Sequence, residues 1–163
     1  MKEEIKLLKS KIIDDLQSIK RIYDKLNREK GKIENTPNEA QLINIGYYLH
    51  NLYNAYENIF LNVADVFENQ VKEKSRWHYS LQKRMTLNIE DIRPKVISKG
   101  VSNYLDELRR FRHIFRHSYD YEIDWERLEI VLKKADKLQG IYEKEIRNFI
   151  GFLDKLSGQE NAK

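Results

Sequence analysis

The chain has 163 residues, two prolines, six glycines and no cysteine, and 30 lysines and arginines against 26 aspartates and glutamates give a net charge of +4. A chain of this length can bury about two thirds of its unfolded surface in one core, so a single domain is expected. The lack of cysteine excludes disulfide frameworks, thiol catalysis and cysteine-ligated zinc sites, and four histidines leave little room for a histidine-rich metal site.

Apolar residues recur every three or four positions in the first half of the chain, which predicts two long amphipathic helices. The first apolar stripe covers residues 5–26, and Gly31 is expected to end that helix. The second helix is predicted to begin with Thr36 as its cap, Pro37 at the first helical position and Glu39 completing a capping box.

The second half of the chain predicts two further long helices and one short one. The polar residues 69–84 are read as a loop followed by a short helix, and the third long helix is predicted over about 102–119. Asp124 is the expected cap of the last helix, whose apolar stripe extends to Leu156. No segment alternates as a strand would, so we predict an all-α fold, an up-and-down four-helix bundle with an extra short helix.

The chain shows no sign of a targeting or membrane segment. Its start, Met1 to Glu4, carries acidic charge where a signal peptide has a basic region and an apolar run. No stretch approaches the roughly 18 consecutive apolar residues of a membrane helix. We therefore expect a cytoplasmic protein without a membrane partner, with one domain over 1–156 and a frayed tail at 157–163.

Positive charge is concentrated in one part of the sequence. Residues 70–117 contain 12 lysines and arginines against 5 acidic residues, a local net charge of +7, and the rest of the chain sums to −3. This distribution indicates a polyanionic partner. Two interpretations stay open for Trp77, His78 and Tyr79 in this region: stacking on unpaired bases of RNA, or packing of the loop onto the bundle.

The basic region ends in a dense polar cluster, since residues 108–119 hold four arginines, two histidines and a tyrosine. Helical geometry places the arginines and Tyr119 on one stripe and the two histidines on a second stripe beside it. On a straight helix Arg112 and His117 are about 140° apart. Either the helix bends near His117, or two protomers combine their motifs in one cleft.

Arginine and histidine together are sufficient for metal-free cleavage of RNA. Arginine grips phosphate, and a histidine that titrates near neutral pH can move a proton to or from a ribose oxygen. A structural interpretation is equally open, because cationic side chains commonly complement the negative end of a helix dipole. Phosphate-binding glycine loops, zinc-protease motifs and nucleophile elbows are all missing from the sequence.

The spacing Arg112-x-x-x-x-His117-x-Tyr119 resembles the Arg-x4–6-His motif of the HEPN superfamily, and the trailing tyrosine is similar to that of the HepT-like toxins. Further stretches agree with this resemblance, which extends over about residues 70–130: Trp77-His78, the run from Ile92 to Ser98, the run from Leu105 to His113, and the run from Ile123 to Leu128.

The resemblance implies a HEPN-like helical bundle that acts as a homodimeric, metal-independent endoribonuclease toxin without a cofactor. It implies a minimal nucleotidyltransferase as antitoxin, in a type VII-like pair in which the antitoxin silences the toxin by attaching AMP to a tyrosine. Carried over by position, Arg112 and His117 are the expected catalytic residues, Tyr119 is the expected AMPylation target, and Arg109, His113 and Arg116 are expected to bind RNA phosphate.

Two other classes of function stay open from the residues alone. The first is a non-catalytic subunit that binds a substrate or nucleotide and presents it to a partner nucleotidyltransferase. The second is a structural helical adaptor without an anion site, whose binding to RNA, if any, would show no dependence on salt.

Overall fold

The computed structural model describes residues 1–68, 77–117 and 123–158, and within these ranges the chain is helical and has no strand. An isolated bridge joins Ile89 and Arg93. The predicted all-α bundle is confirmed. In the described part, no helix is both long enough and apolar enough to cross a membrane. The helices are α1 (Lys2–Gly31), α2 (Glu39–Phe67), α3 (Trp77–Arg84), α4 (Lys99–Arg116), α5 (Trp125–Gln139) and α6 (Tyr142–Ser157).

The start of α2 differs from the prediction by two residues. Asn38, not Thr36, is the cap. Its side-chain Oδ1 accepts a hydrogen bond from Gln41 N at 2.8 Å, and the Gln41 side-chain Oε1 accepts one from Asn38 N at 3.0 Å. This reciprocal pair satisfies two free amides at once, so Pro37 precedes the helix and Glu39 does not close the capping box.

Two other helix limits also differ from the sequence pattern. Helix α4 begins at Lys99, because the Ser98 hydroxyl caps it by accepting from Val101 N at 3.2 Å, and it ends at Arg116. The predicted last helix is divided at Gly140 and Ile141 into α5 and α6, although its cap, Asp124, is the one predicted. The apolar stripe continues across this break, so periodicity alone does not reveal it.

Paired side chains show that neighbouring long helices run in opposite directions. Glu29 of α1 contacts Asn44 at the start of α2, and Asp15 contacts Asn58 further along, so the two helices are antiparallel. Lys30 pairs with Asp136 of α5 and Lys9 pairs with Asp154 of α6, which sets both helices against α1. The bundle therefore has the expected up-and-down order.

Tyrosines join the helices in the centre of the bundle. The Tyr23 hydroxyl of α1 donates to the Ala135 carbonyl of α5 at 2.9 Å, and the Tyr23 ring stacks on Tyr142 of α6 at 5.7 Å. Tyr56 of α2 meets Tyr142 edge-on at 5.5 Å. Tyr53 and Tyr56 are both buried.

A buried carboxylate fixes the end of α2 against α3 and the connection to α4. Glu68 accepts from Arg84 Nε at 2.7 Å and from the Arg93 guanidinium, whose side chain is fully buried. Burial alone would raise the pKa of the Glu68 carboxyl, but the hydrogen bonds from Arg93 and Arg84 outweigh it and lower that pKa. The two arginines thus share one carboxylate, which joins α3 and the connection to α4 to the end of α2.

Helices α2 and α4 pack closely together at Gly46. A β-carbon at this position would lie 3.0 Å from the Phe115 ring, and 3.4 Å from both Phe111 and Ile123. The absence of a side chain at Gly46 lets the aromatic residues of α4 pack directly on α2. This contact positions the end of α4, where the arginine and histidine motif lies.

Matched alanine substitutions test this close approach. Gly151→Ala in α6 is expected to raise the free energy of unfolding by up to about 1 kcal/mol, because alanine favours helix and its methyl group meets no atom within 4 Å. Gly46→Ala is expected to be less stable than Gly151→Ala by about 1–3 kcal/mol, because its methyl group overpacks against Phe115. Urea unfolding followed by circular dichroism measures both; equal stabilisation by the two changes would contradict the packing at Gly46.

Candidate active site

The side chain of Arg112 is held against α2 by uncharged groups. Its Nε donates to Asn54 Oδ1 at 2.6 Å, and its guanidinium carbon lies 5.8 Å from the centre of the Tyr53 ring. Neither partner carries a negative charge, so the positive charge of Arg112 is oriented without being neutralised. This arrangement keeps Arg112 available to an anionic ligand.

Arg112 also determines the protonation state of His50 through Asn54. Because Asn54 Oδ1 faces Arg112, the amide nitrogen Nδ2 faces His50 Nε2 at 3.2 Å and must donate to it. Nε2 is then an acceptor, and the single ring proton of His50 lies on Nδ1. That buried nitrogen has no hydrogen-bond partner among the described residues. His50 is therefore a neutral imidazole at the end of a short relay.

The electrostatics of the site agree with a neutral His50. Burial lowers the pKa of His50 below its ordinary value of 6.5, and the charges of Arg112 and Arg116 lower it further. Arg112 and Arg116 are one helical turn apart on α4, and Arg112 contacts α2 through Asn54, the neighbour of His50. The ring of His50 also packs on Phe115, with a centroid distance of 5.6 Å.

The two motif histidines lie together at the exposed end of α4. The rings of His113 and His117 are 4.6 Å apart, as expected for residues one helical turn apart. His117 follows the last helical residue and has φ −103° and ψ 10°, with its N–H donating to the Ile114 carbonyl at 3.3 Å. In the part of the chain that is described, no hydrogen bond joins Arg112 to His117.

The predicted phosphate-binding arginines differ in their surroundings. Arg109 is paired with Asp106 at 2.8 Å, and Asp106 also holds Arg110 at 2.9 Å. Arg116 is exposed and forms no ion pair with any described residue. Among the described residues, Arg112 and Arg116 are therefore the motif arginines without an acidic partner. The expected AMPylation target, Tyr119, lies outside the described residues.

Trp77 and Tyr79, at the start of α3, have different environments. Trp77 packs against the core and its ring lies 3.7 Å from that of His78, whose Nδ1 contacts the buried Glu57 carboxylate at 2.5 Å. The packing interpretation therefore applies to Trp77. Tyr79 is 46% exposed, and Arg109 lies over its ring at 5.4 Å.

Metal ligation has no evident place in the described chain, where no three histidine, aspartate or glutamate side chains come together as a metal site would require. The chemistry that the motif offers comes from guanidinium and imidazole groups. These groups supply cationic hydrogen-bond donors and proton carriers.

A family model described as HepT-like protein matches residues 44–153, about two thirds of the chain. The chain belongs to this family of HepT-like proteins. The resemblance inferred from the motif is thus confirmed, and the matched region extends beyond 70–130 to include most of α2 and α6. No curated protein and no solved structure matches the chain.

Sequence reasoning missed the residues of α2 that support Arg112. His50 and Asn54 are polar residues one helical turn apart, and they lie beside the buried residues Leu49 and Tyr53. Polar residues at helical spacing on the edge of an apolar stripe are the signal that could have identified them. Their partner on α4 is not identifiable from that signal alone.

The lowered pKa of His50 gives a direct test of the site geometry. Arg116→Gln is expected to raise the pKa of His50 towards 6.5, because removing a nearby positive charge favours the imidazolium form. NMR titration of the His50 ring measures this change. The control Arg147→Gln removes a charge from α6 and should leave the pKa of His50 unchanged. An unaltered His50 pKa in Arg116→Gln would contradict the arrangement.

Proposed function

We propose that this HepT-like protein is a metal-independent endoribonuclease, the toxin of a type VII-like toxin–antitoxin pair. The observation that carries the proposal is the state of Arg112. Arg112 is oriented by Asn54 and Tyr53 and retains its charge. It lies at the C-terminal end of α4, as do the exposed rings of His113 and His117. A fixed cation beside imidazole groups, which can accept or donate a proton, suits phosphodiester cleavage.

The reaction follows from the roles of these groups. A neutral histidine removes the proton of the ribose 2′-hydroxyl, and the oxygen attacks the adjacent phosphorus. Arg112 binds the non-bridging oxygens, where negative charge increases in the transition state. A protonated histidine donates its proton to the leaving 5′-oxygen, which leaves a 2′,3′-cyclic phosphate and a free 5′-hydroxyl. The proton removed and the proton donated balance.

A symmetric pair of chains would bring the arginine of one motif to the histidines of the other, a contact that the described residues of one chain do not make. Ile43 and Tyr47 of α2 are 49% and 54% exposed and lie one turn apart, on either side of the Gly46 contact with Phe115. We infer that a second copy of the chain packs on this apolar patch. The two motifs would then face a common cleft in a homodimer.

Regulation by AMPylation fits the same site. A partner nucleotidyltransferase would transfer AMP to the Tyr119 hydroxyl, with release of pyrophosphate from ATP. The added phosphate carries negative charge two residues from His117, where the uncompensated Arg112 and Arg116 can bind it. The modification would thereby occupy the anion site that the RNA backbone requires.

Cleavage of RNA in the presence of EDTA tests the catalytic proposal. His117→Ala is expected to lower the cleavage rate by about 10²–10⁴-fold, because a proton-transfer group is lost. Arg112→Ala should have a similar effect through loss of charge stabilisation. The rate of oligonucleotide cleavage is measured by gel electrophoresis, and Arg147→Ala on α6 is the control that should retain activity.

Unchanged cleavage in His117→Ala would contradict this mechanism. The non-catalytic alternative, a substrate- or nucleotide-binding subunit of a nucleotidyltransferase complex, makes the opposite prediction for the wild-type chain. It predicts that the chain binds the partner or nucleotide but does not cleave RNA, even when the protein is produced without the transferase and is unmodified. The two functions are therefore separated by one assay on unmodified protein.

Mass spectrometry after co-expression with the neighbouring nucleotidyltransferase tests the regulation. The wild-type chain is expected to gain mass in AMP units on Tyr119 and to lose its cleavage activity. Tyr119→Phe lacks the acceptor hydroxyl and should remain unmodified and active in the same cells. Tyr104→Phe is the matched control, and it should still be modified. An AMP-free wild-type chain would contradict the proposed regulation.

A further inference from the structure

A cleft of about 440 Å³ lies between α3 and α4, and we call it the α3–α4 cleft. It is separate from the contacts that Arg112 makes with α2. Its walls carry three cationic side chains, one carboxylate, an aromatic ring and side-chain amides: Lys83, Lys99, Arg110, Asp106, Tyr79, Gln82 and Asn103. The excess of cations over the single carboxylate suits a polar, negatively charged ligand.

The cations of this cleft are largely uncompensated. Lys83 and Lys99 are exposed, and neither forms an ion pair with a residue in the described ranges. Arg110 shares Asp106 with Arg109, yet its side chain is 63% exposed. The net charge at the mouth of the cleft is therefore positive, as a phosphate-bearing ligand requires.

Tyr79 adds the surface that distinguishes a nucleotide from a simple anion. Its ring is 46% exposed and lines the cleft, and the Arg109 guanidinium lies 5.4 Å from its centre. An exposed aromatic ring beside cations is the combination with which proteins bind unpaired bases and their phosphates. An acidic peptide would use the lysines without a need for the ring.

An unused hydrogen-bond acceptor lies in the same wall. Gln82 is 2% exposed, and its Nε2 donates to the Ser102 carbonyl at 2.8 Å and to the Ser102 hydroxyl at 3.1 Å. These bonds fix the amide, so Oε1 is an acceptor, and it has no partner among the described residues. This oxygen is itself buried, so the contribution of Gln82 to the wall is structural: its two bonds to Ser102 hold α3 against α4.

We propose that the α3–α4 cleft binds nucleotides of single-stranded RNA that flank the cleaved bond, with a base on Tyr79 and phosphates on Lys83 and Lys99. The inference rests on the proposed function, because the RNA is that of the cleavage reaction. At about 100° per residue, Asp106 and Arg110 of the cleft and His113 and His117 of the motif lie within about 60° of one another around α4, so they share one face of the helix. Arg110 and His117 are about 10 Å apart along the helix axis, a distance that roughly three stacked nucleotides span.

Binding of an uncleavable 2′-deoxy octanucleotide, followed by fluorescence anisotropy in EDTA, tests the cleft directly. The double variant Lys83→Gln/Lys99→Gln is expected to bind at least fivefold more weakly at low salt, with its salt slope reduced by about 1.4 for two lost phosphate contacts. Tyr79→Ala should weaken binding about tenfold through lost stacking, whereas Tyr79→Phe should bind as the wild type does. The control Lys25→Gln/Lys144→Gln removes two exposed lysines from α1 and α6.

Cleavage assays separate failure of this inference from failure of the proposed function. If the cleft binds flanking nucleotides, the double variant cleaves a dinucleotide at the wild-type rate but an octanucleotide with a KM raised at least fivefold. If the wild-type protein cleaves no RNA, and only the cleft variants bind the octanucleotide more weakly, the catalytic function is overturned and the cleft assignment is supported. Octanucleotide binding and KM equal to those of the lysine control would overturn the cleft assignment.

Discussion

The antiparallel pairing of α1 and α2 is the constraint on which the other helices depend. Contacts between Asp15 and Asn58, and between Glu29 and Asn44, fix the register of two helices that are 30 and 29 residues long. Once α1 covers the apolar face of α2, the remaining face of α2 must be covered by α3, α4 and α5. That face carries polar residues in its middle, so its partners must satisfy hydrogen bonds as well as fill space.

The partners of the arginines distinguish those that stabilise the fold from those that are candidates for function. Arg93 and Arg109 are each paired with a carboxylate, so part of their charge is already compensated by a residue of the fold. Arg112 instead donates a hydrogen bond to the Asn54 amide oxygen and lies over the Tyr53 ring. These two contacts orient the guanidinium without neutralising its charge. A hydrogen bond to a charged group contributes about 1.5–3 kcal/mol. An amide partner therefore orients the guanidinium strongly without competing with a phosphate for its charge.

Much of the fold and part of the site follow from local sequence signals. The period of apolar residues predicts every long helix, and Asp124 predicts the start of α5, because both depend only on neighbours along the chain. The cap at Asn38 and the break at Gly140 depend on which of several alternative local hydrogen bonds forms. The period of apolar residues does not distinguish these alternatives. Asn54 and Arg112 are 58 residues apart, and only the packing of α4 on α2 brings them together.

The separation of Arg112 from His117 favours a second chain over a rearranged helix. Turning His117 towards Arg112 within one chain would require unwinding the last turn of α4. That change would break several backbone hydrogen bonds, each worth about 0.5–1.5 kcal/mol. It would also remove Phe115 from its contact with Gly46 and His50. In the proposed homodimer, two intact α4 ends related by a two-fold axis would avoid both losses, and they would set an oriented arginine of one chain beside the exposed histidines of the other.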